Sequence, residues 1–110
     1  MNIGNNYSVV EFLCENGEML KDYVIAEGLT LDEAIAEIDC QHKQIRRFNC
    51  HRGGGEVHDE KLLGGWFCQG FWSETERDNI IGVYLKEKSF GVSKRVEKMI
   101  EHALECSKKL

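Results

Sequence analysis

Two apolar strand pairs, each followed by an amphipathic helical stretch, predict an α+β fold for this 110-residue chain. The expected form is a two-layer, mainly antiparallel four-stranded sheet with two helices on one face, in ββαββα order. Three observations carry this. Segments 7–14 and 20–26 are rich in β-branched and aromatic residues around a turn signal, Asn16-Gly17. Residues 66–72 and 79–86 repeat the pattern, and helical spacing follows each pair. Hairpin-then-helix units do not build parallel βαβ crossovers throughout, so the sheet is expected to be antiparallel.

The first hairpin can be registered by charge. A two-residue Asn-Gly turn sets Glu11 opposite Asp22, a like-charge pair. A three-residue loop with Gly17 in the left-handed region sets Glu11 opposite Lys21, Leu13 opposite Met19 and Val9 opposite Tyr23. The bulged turn is therefore expected.

The first helix has a local start signal. Thr30 suits an N-cap, and Glu33 three residues later completes a capping box. Leu31, Ala34, Ile35, Ile38, His42 and Ile45 fall on one face, with His42 read as a packed core histidine. Arg46 and Arg47 end the helix, where positive charge suits its dipole. From Asn49 to Gly65 the periodicity stops; five glycines mark this as a long loop. The last helix is expected from Ser93 as N-cap, with Val96, Met99, Ile100, Ala103 and Ser107 along one side and Leu104 at its edge.

Length fits one domain spanning 1–110. Apolar content of 42% and charged content of 30% are those of an ordered globular chain. Five cysteines with no CxxC spacing do not form a disulfide framework. The N-terminus lacks the basic and apolar regions of a signal peptide, and the apolar run 62–73 is too short to span a bilayer. A cytoplasmic protein without membrane contact is expected.

Net charge is −5, and it is segregated. Residues 1–41 hold nine acidic side chains and one lysine, whereas 42–52 hold Lys43, Arg46, Arg47 and Arg52. The acidic half lacks the continuous basic footprint of a nucleic-acid binder and suits a basic partner.

The aromatic strand is the main candidate surface. Alternation sets Trp66 and Trp72 on one face and Phe67 and Phe71 on the other, and the following strand adds Tyr84. A half-solvated sheet alternates apolar with polar. Here both faces are apolar, so a second copy, a partner or the long loop is expected to cover the face the helices leave open. Trp66, Phe67, Phe71, Trp72 and Tyr84 are thus candidate partner contacts, with the carboxylates Glu11 and Asp22 steering a basic surface. Stacking on bases is disfavoured because no cation interleaves with these rings.

Chemistry-bearing motifs are weak. Cys50, His51, His58 and Cys68 match no familiar zinc spacing, so no metal or cofactor is expected. His58-Asp59-Glu60 lacks the P-C-x-x-C that a zinc deaminase requires. Gly53-Gly54-Gly55 lacks the lysine and helix of a P-loop. The expected function is that of a small acidic, non-enzymatic protein-binding module. It would act as an inhibitor or immunity-type protein that occupies a partner's surface, and it would self-associate as a homodimer. The alternative is a small-ligand or nucleotide/phosphate-binding domain using the glycine loop with Arg46, Arg47, His51, Arg52 and His58, since arginine forks suit phosphate groups.

Overall fold

A computed structural model describes residues 6–51, 57–58, 64–72 and 77–109, with side chains described for all of these except 45–51, 57–58, 68–72 and 77–79. In chain order the elements are β1 (Tyr7–Glu15), β2 (Glu18–Leu29), α1 (Leu31–His51), β3 (Val57–His58), β4 (Gly65–Trp72), β5 (Arg77–Glu87) and α2 (Lys94–Lys108). The strands form one sheet in the order β2-β1-β5-β4-β3, and every neighbouring pair is antiparallel. The α+β class and the ββαββα order expected from sequence are present. A two-residue strand, β3, is added inside the segment read as loop from Asn49, and α1 runs on into the start of that segment, to His51.

The arrangement of layers differs from expectation. Val10, Phe12 and Cys14 of β1 pack with Phe67, Ile80 and Tyr84 against Val96, Met99 and Ala103 of α2. Val9 of the same strand packs with Trp66 and Val83 against Ala34 and Ile38 of α1. Because successive strand residues point to opposite faces, the helices lie on opposite sides of the sheet. The fold therefore has three layers, not two. The doubly apolar second hairpin is explained by this: α2 covers the Phe67 side and α1 covers the Trp66 side.

The first turn also corrects the expected register. Asn16 and Gly17 both have positive φ, 51° and 82°, as a two-residue type I′ hairpin turn requires. Glu15 then pairs with Glu18 and Cys14 with Met19. A shift between Leu13 and Cys14 leaves Leu20 as the extra residue, so Leu13 faces Lys21, Phe12 faces Asp22 and Glu11 faces Tyr23. The Glu11–Asp22 repulsion is avoided as anticipated, but by a bulge within β2 and not by a longer turn.

Local caps agree with the sequence. Thr30 N–H donates to Glu33 Oε1 at 2.9 Å and Glu33 N–H donates to Thr30 Oγ1 at 3.1 Å, which is a complete capping box. Ser93 caps α2 by accepting from Val96 N–H at 3.2 Å. The buried side of α2 is Val96, Met99, Ala103 and Ser107. Gly82 sits where the core is tightest: a Cβ there would lie 2.5 Å from Phe12 Cζ and also against the Trp66 carbonyl.

Candidate functional site

Burial sorts the sequence candidates. Trp66 and Phe67 are fully buried and Tyr84 is 8% exposed, so these three belong to the core and are not presented to a partner by the folded chain. Trp66 is held from two sides. Its Nε1–H donates to the Ile38 carbonyl at 3.4 Å, and its ring meets His42 edge-on with centroids 4.7 Å apart. His42 is itself buried, in agreement with its reading as a core histidine. Phe67 meets the exposed ring of His102 edge-on at 5.6 Å. Phe71 and Trp72 pair through the backbone with Asp78 and Arg77, and their side chains lie outside those described.

The residues of the ligand alternative have side chains outside those described. Arg46, Arg47 and His51 lie in the last turns of α1 and His58 lies on β3, all with side chains outside those described; Arg52 lies outside the described residues altogether. Among the described residues no group of three or more His, Cys, Asp and Glu side chains is placed to hold a metal ion. The nearest soft-ligand pair is Cys106 Sγ and His102 Nε2, 3.8 Å apart on one side of α2. Among the described residues no helix is long and apolar enough to cross a membrane.

The exposed apolar side chains lie elsewhere. β2 ends the sheet, and on it Leu20, Tyr23 and Val24 are 46%, 50% and 50% exposed. The exposed charges Glu18, Lys21, Asp22 and Glu27 lie on the same strand. Pairing across the first hairpin places Glu11 beside Tyr23. Partial burial, and then the hydrogen bond and the charge of Glu11, push the Tyr23 phenol above its ordinary pKa. Burial and, after it, the Asp22 charge do the same to Tyr84. Glu11, Leu13, Lys21, Tyr23 and Ile81 line a shallow depression of about 60 Å³. That is far below the ~300 Å³ at which small-molecule pockets begin. This strip can make contacts; its depression does not enclose a nucleotide.

The edge is shielded against simple strand addition. Three register shifts interrupt its pairing with β1, and bulges of this kind twist an edge away from a flat partner strand. Side chains, not the backbone ladder, are what β2 offers.

A second exposed feature is the turn after β5. Phe90 is 81% exposed, the most open of the large apolar residues described. Its backbone is fixed: Glu87 and Gly91 exchange N–H···O bonds of 2.6 and 2.7 Å, and Lys88 N–H donates to the Asn6 carbonyl at 2.8 Å. Lys86, Lys88, Lys94 and Arg95 around it are all exposed.

Sequence reasoning missed Leu20, Tyr23, Val24 and Phe90 as surface anchors. The available signal was an isolated phenylalanine set among Lys, Ser and Gly in a stretch with no apolar period. Comparison with protein-family models, with curated proteins and with solved structures finds no match for this chain.

Proposed function

We propose that the chain is a non-enzymatic protein-binding module that works by occupying a basic, partly apolar surface of another protein, as inhibitors and immunity-type proteins do. The observation that carries this reading is the β2 edge, where Leu20, Tyr23 and Val24 are half-exposed beside Glu18, Lys21, Asp22 and Glu27; Tyr23, opposite Glu11, is on the α1 side of the edge, and Val24, opposite Val10, is with Asp22 on the α2 side. Tyrosine is a frequent energetic anchor of interfaces because it buries much area for few rotatable bonds. The carboxylates add steering toward positive charge and act against acidic partners. Nine of the first 41 residues are acidic against one lysine, Lys21, so negative charge predominates in this half of the chain.

Affinity capture with the chain as bait, followed by titration of the purified captured protein, tests this. Binding should weaken at least about tenfold for Tyr23→Ser with Val24→Ser, and again for Asp22→Lys. A captured protein whose affinity is indifferent to all three changes would refute the role of β2.

A further inference from the structure

The chain carries both halves of a complementary contact, set apart along its sheet. The apolar part of the β2 edge, Leu20 to Val24, lies between the β1–β2 turn and the middle of β1. Tyr23 is level with Glu11, and Glu11 is level with Val83. From Val83, β5 runs four residues to Glu87, about 14 Å at ~3.4 Å per residue, before the Phe90 turn begins. At that far end Leu29, Tyr7 and Glu87 pair across three strands. The Phe90 turn is therefore set apart along the strands from Tyr23 of its own chain and is free to meet a β2 edge on another molecule.

The two surfaces match in chemistry. Residues 86–98 carry five cations, Lys86, Lys88, Lys94, Arg95 and Lys98, against Glu87 and Glu97. The strip carries Glu18, Asp22 and Glu27 against Lys21, with Leu20, Tyr23 and Val24 exposed between them. Phe90 stands out on a turn whose backbone is closed by the Glu87–Gly91 bond pair, so little ordering remains to be done on docking. About a two-fold axis, a turn of one copy on the β2 edge of the other is repeated in reverse, so both contacts form at once.

We infer that the basic partner of the β2 strip is a second copy of this chain, with the Phe90 turn of each copy seated on Leu20–Val24 of the other. This rests on the reading of β2 as a docking strip and names its partner.

Sedimentation equilibrium of the full chain over a wide concentration range, at low and at high salt, tests it. The wild type should form dimers that weaken at high salt, because exposed charges are screened there. Phe90→Ser alone, and Tyr23→Ser with Val24→Ser alone, should each be monomeric while keeping the wild-type circular dichroism spectrum, which shows the fold to be intact. Mixed together, those two chains should form a heterodimer, because one turn and one strip remain intact between them. Lys88→Glu with Arg95→Glu should weaken the dimer at least tenfold at low salt and little at high salt. A wild type that stays monomeric throughout overturns the inference and leaves the basic-partner reading of β2 standing. Dimers that persist in Tyr23→Ser with Val24→Ser overturn the inference by placing the contact elsewhere, and the capture titration then decides β2 separately. Dimerisation of the wild type without heterodimer formation in the mixture overturns the pairing of turn with strip.

Discussion

The backbone N–H of Gly17 donates a 2.8 Å hydrogen bond to the Ser107 hydroxyl, tying the tip of the first hairpin to the last turn of α2 across ninety positions of sequence. The same hydroxyl donates to the Leu104 carbonyl at 2.7 Å. Ser107 is 2% exposed, so both partners lose a group that water does not freely replace when the hydroxyl is deleted. Ser107→Ala should therefore lower the unfolding free energy by about 1–2 kcal/mol in urea titrations. It should also speed hydrogen exchange at the Gly17 amide. An unchanged urea midpoint with unchanged Gly17 exchange would show that the turn docks without this bond.

The capping box of α1 makes stability depend on pH in a stated direction. Hydrogen bonds from the Thr30 backbone and side chain hold the Glu33 carboxyl below its ordinary pKa. A folded pKa below the unfolded one means the contribution is complete above the usual glutamate range near ~4.3 and is lost as pH falls through the folded value. Glu33→Gln keeps a reaching acceptor but no titrating group, so its stability should approach that of the wild type as pH falls through this range. Thr30→Ala, which removes the cap itself, should cost roughly 1 kcal/mol at neutral pH. Parallel urea titrations between acidic and neutral pH check both; a gap between wild type and Glu33→Gln that does not change with pH would contradict the assignment.

Gly82 is predicted to be the least replaceable glycine of the central strands. Its missing side chain leaves the space between the Phe12 ring and the Trp66 carbonyl that an added Cβ would fill. Added methyls in a close-packed core cost about 1–3 kcal/mol, and more where backbone must move. Gly82→Ala should fall at or above the top of that range by thermal or urea unfolding. Phe12→Leu should recover part of the loss in the double variant, because the two sites share one space. Full additivity of the two changes would mean that Phe12 is not what the new methyl meets.

What was legible in the sequence was mostly local. Thr30 with Glu33, Ser93, and the period of Val96, Met99 and Ala103 act within one or two turns, and the structure places them as read. Charge correctly excluded Glu11 opposite Asp22, yet could not say whether the extra residue would sit in the turn or at Leu20, because both solutions relieve the same repulsion. The layer count failed for a non-local reason. Apolar side chains on both faces at Trp66 and Phe67 announce two covers, and nothing in a strand says that α1 and α2 will take one face each. The same error hid the candidate surface: with the aromatics buried, exposure passed to β2, whose edge position follows from strand order alone.

Cys14 is predicted to be the slow thiol of the folded chain. It is fully buried beside Met19, whose Sδ lies 4.0 Å from its Sγ, and burial pushes its pKa from 9.0 up to about 11. Because the thiolate is the nucleophile, a rise of that size cuts its reactive fraction near neutral pH about a hundredfold, before any steric exclusion. Cys40, exposed on α1, supplies the reference within the same molecule. Labelling with a small maleimide and peptide-resolved mass spectrometry should show Cys14 modified at least about a hundredfold more slowly than Cys40. Adding urea should accelerate Cys14 in step with the unfolding curve, since a folded pKa above the unfolded one favours the protonated, buried thiol until the core opens. If Cys14 reacts within tenfold of Cys40 in native buffer, the face between β1 and α2 opens far more readily than its packing against Phe12, Ile80 and Ala103 implies.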